Sequence, residues 1–197
     1  TVPVPALATA LAAEWRAQRE RIDPRSMPLT GLANAAIDRV APDPAGFAAG
    51  LSSYGESELL CYRADAPDAL VQRQAERWDP VLHWAASRFD ISFTLVTGIM
   101  HRPQPEATVD RLAAALQGFD PFRLAALSPV ITISGSLVIG LALADGALDP
   151  AAAFDIAHLD ELWQEEQWGA DELALRAREA RRADFDAACR FLALLDG

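Results

Sequence analysis

The sequence contains no lysine, so arginine supplies all 17 of its basic residues. Acidic residues outnumber them, 28 to 17, and the formal net charge is −11. This balance argues against a nucleic-acid-binding protein, because affinity for the phosphate backbone depends on clustered lysine and arginine. Hydrophobic residues make up 51% of the 197 residues, which is the composition of a folded domain and not of a disordered chain.

Cysteine is also scarce. Cys61 and Cys189 are the only two, too few for a disulfide framework or a four-cysteine zinc site. Both lie in largely apolar stretches, which predicts small buried thiols. This cysteine usage suits a reducing compartment.

The common catalytic motifs are missing: the sequence has no glycine-rich dinucleotide loop, no nucleophile elbow and no zinc-protease motif. His158, Glu161 and Glu165 share one face of a predicted helix and leave a metal site open as an alternative. One helix supplies only half of such a site, so the pattern favours a solvated polar face and no bound metal.

Residues 129–144 form an apolar run that carries no charge. It is shorter than the roughly 20 residues that a bilayer requires. We therefore predict a central helix of a bundle, apolar on all sides, and no stable membrane insertion. Gly140 is expected at a close contact between helices, and a membrane span remains the alternative.

Helical spacing of apolar residues continues along most of the chain and predicts a mainly α fold. Asp43-Pro44 has the pattern of an N-cap followed by a first-turn proline. A first helix is predicted from Pro5 to about Asp23, with Trp15 on its buried stripe. A second is predicted over residues 29–40.

Three further elements follow from the pattern. Asp79-Pro80 predicts a kink or a new helix with Asp79 as its cap. Residues 91–96 alternate apolar and polar side chains and predict a short extended segment. Residues 150–195 predict one long helix, or two helices with Gly169 between them.

Residues 159–172 combine acidic and aromatic side chains. If one helix continues through this segment, Phe154, Glu161, Trp168 and Glu172 gather opposite the apolar stripe. Aromatic anchors among charges are typical of protein-recognition surfaces. A second packing layer that covers this side explains the pattern equally well.

Several blocks of the sequence also match a known family in order. They are Met27-Pro28-Leu29-Thr30-x-Leu32-Ala33-Asn34-x-Ala36-Ile37-Asp38-Arg39-Val40, Leu59-Leu60-Cys61-Tyr62-Arg63-Ala64, Gln74-x-x-x-Trp78-Asp79-Pro80-x-Leu82-x-Trp84, Gly135-Ser136-Leu137 and Asp160-Glu161-x-x-Gln164-x-x-x-Trp168-Gly169. In these blocks the chain resembles the F₁-ATPase assembly chaperones specific for the α subunit of ATP synthase. It departs from many relatives at Leu162-Trp163, where they carry an acid and a tyrosine.

The resemblance implies an α-helical chaperone domain over residues 1–197, preceded in the family by a small β-rich region that is absent here. It implies a protein that binds the free F₁ α subunit before the β subunit does, without cofactor, metal or catalysis. Members occur in the bacterial cytoplasm and the mitochondrial matrix. The rival interpretations are a metal-dependent enzyme and a membrane-associated assembly factor.

The resemblance also implies which residues contact the partner. The acidic pair Asp160 and Glu161 is associated with function in the family, and the predicted partner-binding residues are Asp160, Glu161, Gln164, Glu165, Phe154 and Trp168. The motif residues Asn34, Asp38 and Arg39 are expected to tie helices together through side-chain hydrogen bonds. Trp78 and Trp84 are expected in the core.

Overall fold

The computed structural model describes residues 1–98 and 100–197, and α-helices dominate this part of the chain. The helices are α1 (Pro5–Arg16), α2 (Pro28–Ala35), α3 (Pro44–Ser52), α4 (Asp68–Phe89), α5 (Glu106–Gln117), α6 (Pro121–Ser134), α7 (Leu137–Ala144), α8 (Pro150–Ala157), α9 (Leu159–Trp168) and α10 (Glu172–Asp196). The prediction of a mainly α fold is confirmed.

Aspartate followed by proline starts three of these helices. The carboxylates of Asp43, Asp120 and Asp149 each accept hydrogen bonds from backbone amides in the first turns of α3, α6 and α8. The side chain satisfies amides that have no partner within the helix, and the proline fixes the φ angle that the first turn needs. The N-cap predicted at Asp43 is confirmed.

Asp79 does not behave in this way, and its predicted role as a cap is wrong. Helix α4 continues through Pro80, and the Asp79 carboxylate accepts a hydrogen bond from Arg63 Nη2 at 2.6 Å. Pro80 removes one backbone hydrogen bond, but Trp78, Val81 and Leu82 on either side of it are buried in the core. Their burial offsets the loss and holds the helix together.

The uncharged run forms two helices, so the prediction of a single central helix is wrong. Gly135, with a φ of 66°, ends α6, and the Ser136 hydroxyl caps α7 by accepting from the Ile139 amide at 3.0 Å. The predicted burial is confirmed, because residues 137–142 are all buried. Over the residues that the structure describes, none of the helices combines the length and the apolarity needed to cross a bilayer.

Gly140 lies at the predicted close contact between helices. A Cβ atom added there would lie 2.6 Å from Cγ1 of Ile131. Helix α7 can therefore approach α6 only because residue 140 has no side chain. Helix α10 packs along the other side of α6, so α6 and α7 form the centre of the domain.

The extended structure is smaller than the sequence pattern suggests. Strand β1 (Tyr62–Arg63) pairs in parallel with β2 (Val96–Thr97), with Tyr62 opposite Val96. Of the segment predicted as extended over residues 91–96, the last residue, Val96, belongs to a strand. A side chain holds the irregular part in place. Gln104 Oε1 accepts a hydrogen bond from the Thr94 amide, and Gln104 Nε2 donates one to the Thr94 carbonyl oxygen, both at 2.9 Å. These bonds take the place of those that a neighbouring strand would supply.

One tryptophan that was expected inside lies at the surface. Helix α1 ends at Arg16, well before Asp23, and the buried residues of its stripe are Leu7 and Ala10. Trp15 is 52% exposed, so its predicted place in the core is wrong. Trp78 is buried as predicted, and Trp84 is half-buried, with its ring edge-on to Phe89 at 5.7 Å.

The motif residues Asn34, Asp38 and Arg39 are exposed near a π-helical turn (Ala36–Val40) that follows α2. Among residues 1–98 and 100–197 their side chains form no hydrogen bond, and the prediction that they tie helices together is wrong. Cys61 and Cys189 are buried free thiols, as predicted. Burial raises the pKa of each thiol to about 12, so neither is a reactive thiolate at neutral pH.

Candidate functional site

The C-terminal region that carries the predicted site forms three helices, α8, α9 and α10. The break predicted at Gly169 is confirmed, and its φ of 87° is one that favours glycine. The break at His158 was missed. Its Nδ1 donates to the Phe154 carbonyl oxygen at 2.9 Å, and its ring stacks on the Phe154 ring at 3.9 Å, which ends α8 one residue before α9 begins.

Because of this extra break, Phe154 and Trp168 do not lie on the same side of one continuous helix, as the sequence analysis predicted. Phe154 is only 2% exposed and packs edge-on against Phe185 of α10, with ring centroids 5.5 Å apart. The prediction that Phe154 contacts a partner is therefore wrong. The helical projection assumed one continuous helix, and the break rotates α8 relative to α9.

Asp160 lies on α9 where it faces α4. Its Oδ1 accepts a hydrogen bond of 2.7 Å from Nε2 of Gln74. Gln74 is buried, and its Oε1 accepts from the Ala64 amide at 2.8 Å. This chain of hydrogen bonds fixes the first turn of α9 to α4 and to the end of β1.

Glu161 and Glu165 face the opposite way, toward α10. Glu161 Oε2 lies 2.6 Å from Arg181 Nη2, and its Oε1 lies 3.4 Å from Arg178 Nη1. Glu165 forms an ion pair with the same Arg178. The acidic side chains of α9 therefore clamp this helix between α4 and α10.

The same contacts bear on the metal alternative. Glu161 and Glu165 already bind arginines, and His158 is buried with its Nδ1 bonded to a carbonyl oxygen. Burial lowers the pKa of His158, so its ring is neutral near pH 7. In the described part of the chain, no cluster of histidine, cysteine and acidic side chains has a geometry that holds a metal ion.

Gln164 and Trp168 are the predicted site residues that reach solvent. Trp168 ends α9 and is 78% exposed, and Leu173, in the first turn of α10, is 76% exposed. We call these two residues the Trp168–Leu173 corner. The sequence analysis missed Leu173, although its position just after the predicted break at Gly169 places it outside the regular stripe.

Helix α9 also contacts α4 through Arg73. The Arg73 guanidinium lies over the Trp163 ring, 4.6 Å from its centroid, and 2.7 Å from Glu166. Two cavities, of about 180 and 290 Å³, flank the helix where it meets α4 and α10, and Leu162 lines both. Helix α9 thus has one buried residue, Leu159, and forms ion pairs with both α4 and α10.

Comparison with known proteins relates the chain to chaperones. The family model of the ATP12 chaperone protein matches residues 1–86. The crystal structure of ATP12 from Paracoccus denitrificans is 44% identical, with a TM-score of 0.94 over 98% of this chain and 83% of that chain. A candidate chaperone from Agrobacterium tumefaciens is 43% identical, with a TM-score of 0.94 over 99% of this chain and 73% of that chain.

Proposed function

The chain belongs to the ATP12 chaperone family, and on this premise we propose that it binds the unassembled α subunit of ATP synthase F₁ and keeps it from aggregating before the β subunit pairs with it. The activity is binding and not catalysis, and it takes place in the bacterial cytoplasm. Subunits of an alternating ring expose large, partly apolar interfaces before assembly, and such surfaces need a temporary partner.

The exposure of Trp168 supports this proposal most directly. A tryptophan that is 78% exposed at the end of a clamped helix provides a large apolar area in a fixed position. Burial of this side chain against a partner contributes on the order of 4 kcal/mol, before the cost of association. Tryptophan is also among the residues that most often dominate binding energies at interfaces.

The predicted site residues then divide into two roles. We propose that Trp168 and Gln164 contact the α subunit, because both face solvent. Asp160, Glu161 and Glu165 have partners within the protein, so we assign them to holding α9 at the angle that presents the corner. Phe154 supports the same region from inside the core.

The variant Trp168→Ala tests the contact. We expect it to keep the melting temperature of the wild type and to need at least about tenfold more protein to suppress aggregation of the purified α subunit, since it removes a large anchor. Light scattering of the α subunit measures this protection. Met100→Ala is the matched control, because Met100 is similarly exposed and lies in a loop outside α9 and α10. Full protection by Trp168→Ala would contradict the assigned site.

A further inference from the structure

The connection between α1 and α2 concentrates positive charge in an acidic protein. Residues 15–25, which comprise the last two residues of α1 and most of the connection to α2 and which we call the arginine loop, contain four arginines and two carboxylates: Arg16, Arg19, Arg21, Arg25, Glu20 and Asp23. The loop has a net charge of +2. The rest of the chain has 13 arginines against 26 acidic residues, a net charge of −13.

The four arginines of the loop are exposed and have no carboxylate partner. Within the described residues, no carboxylate oxygen lies within 4.0 Å of their guanidinium nitrogens, whereas Arg178 and Arg181 of α10 are paired with carboxylates of α9. Unpaired guanidinium groups keep their hydrogen-bond donors available. Each of them can bind a carboxylate through two parallel hydrogen bonds.

Two large apolar side chains accompany these charges. Trp15 is 52% exposed and Ile22 is 58% exposed. Tryptophan and arginine are the residue types most enriched among those that dominate binding energy at protein interfaces. The loop therefore offers both apolar area and charges that orient a partner.

Hydrogen bonds give the loop a defined shape. Gln18 Oε1 accepts from the Asp23 amide at 2.8 Å, and Gln18 Nε2 donates to the Ser26 hydroxyl at 3.0 Å. The Glu14 carboxylate turns away from the arginines and accepts from the amides of Leu29 and Thr30 at the start of α2. A loop that is ordered before binding loses less conformational entropy when a partner arrives.

We propose that the arginine loop is a second docking surface for the client subunit and that it takes a short acidic segment with an apolar side chain. The identity of the client rests on the proposed function. Trp15 and Ile22 contact the apolar side chain, and Arg19 and Arg21 pair with carboxylates on either side of it. The strongly acidic remainder of the protein repels such a segment, so the loop is where it binds.

Charge also favours a protein segment over a membrane or a nucleic acid. Screening confines electrostatic contacts to about 8–10 Å, so a short segment feels mainly the loop. An anionic bilayer or a long polyanion extends past the loop and is repelled by the rest of the protein, whose net charge is −13. The same arginines therefore attract a short acidic segment and disfavour an extended anionic surface.

The charge-reversed variant Arg19→Glu/Arg21→Glu tests the proposal. Arg39→Glu/Arg190→Glu is its matched control, because both of those arginines are also exposed and unpaired in the described structure and the two variants have the same net charge. We expect the loop variant to bind the purified α subunit about tenfold more weakly at low salt, and the control to stay within about twofold of the wild type. The difference in affinity between the loop variant and the control should become smaller in high salt, because salt screens the charges.

A labelled peptide of glutamate and leucine provides a second readout that does not depend on the client. Fluorescence anisotropy should show binding to the wild type and to the control variant, and loss of binding to the loop variant and to Trp15→Ala. A peptide with lysine in place of glutamate should not bind. All variants should melt at the wild-type temperature, since the changed residues are exposed.

The outcomes separate the two proposals. If the wild type does not bind the α subunit, the proposed function fails, and the peptide still decides whether the loop docks acidic segments. If the loop variant binds both α subunit and peptide as the wild type does, the docking surface is refuted. Wild-type binding to phosphatidylserine vesicles or single-stranded RNA, lost in the loop variant without any effect on the peptide, also overturns it.

Discussion

At the scale of single residues, Glu58 shows how a charge-bearing side chain can be placed inside an apolar core. It is fully buried, and its Oε2 accepts from the Val138 amide in the first turn of α7 at 3.1 Å. Its Oε1 accepts from the Leu60 amide at 3.2 Å. Burial raises the pKa of the Glu58 carboxyl to about 7, although hydrogen bonds from Ser136 and the backbone oppose this shift.

The raised pKa predicts how stability depends on pH. The unfolded carboxyl loses its proton near its ordinary pKa of 4.5, whereas the folded one keeps it up to about pH 7. Between these values the folded state binds more protons, so the free energy of unfolding falls as pH rises, by about 3 kcal/mol in all, and Glu58 adds no further loss above pH 7.

Urea unfolding between pH 4.5 and 8 measures this slope. We expect Glu58→Gln to flatten it in that window, because the group that titrates is gone. Glu106→Gln, at an exposed position, should leave the slope as in the wild type. An unchanged slope in Glu58→Gln would show that this carboxyl is not protonated in the folded protein.

At the scale of elements, the contact between α6 and α7 depends on Gly140. Gly140→Leu should lower the free energy of unfolding by about 1–3 kcal/mol or more, because even its Cβ overlaps the Ile131 side chain.

The exposed Gly31 of α2 has no atom near the place of a Cβ, so Gly31→Ala should be stabilising by about 0.5–1 kcal/mol. Chemical denaturation measures both, and equal stability of Gly140→Leu and the wild type would contradict the close contact.

The clamp on α9 makes a second prediction at this scale. Asp160→Ala leaves the buried Gln74 Nε2 without its acceptor and should lower the free energy of unfolding by about 1–3 kcal/mol. Glu161→Ala should cost less than about 1 kcal/mol, because Arg178 keeps its pair with Glu165 and Arg181 is partly exposed.

Binding of the α subunit, measured together with the melting curves, shows whether Asp160 positions α9 or contacts the client itself. If Asp160 positions α9, the double variant Gln74→Ala/Asp160→Ala should lose less stability than the sum of the losses in the two single variants, since the two side chains share one hydrogen bond. An Asp160→Ala variant with unchanged stability and lost capture would instead show that Asp160 contacts the client.

At the scale of the whole molecule, the buried apolar centre and the two surfaces that we propose for binding are different parts of the domain. Helices α6, α7 and α10 supply the buried apolar centre, whereas the Trp168–Leu173 corner and the arginine loop lie at the surface on elements held by polar contacts. Substitutions in the centre should therefore change melting first, and substitutions in the two surfaces should change capture first. Trp15 belongs to the second group, which reverses the expectation from its helical spacing.

The sequence by itself determined those features that depend on neighbouring residues. Asp43-Pro44 starts a helix because cap and first turn are adjacent in the chain, and Gly169 ends one because only glycine adopts its φ angle readily. The mainly α fold, the burial of residues 137–142 and the resemblance to a chaperone family follow from patterns of the same kind. They require no knowledge of what packs against them.

The tertiary structure decided the rest. Helix α8 ends at Ala157 because the ring of the next residue, His158, stacks on Phe154 inside the protein, and Phe154, a predicted contact residue, is a core residue. Asp160 has its partner in Gln74, 86 positions earlier in the chain. No local pattern encodes such pairs, because their energy depends on which helices pack together, and that is settled only when the apolar centre has formed.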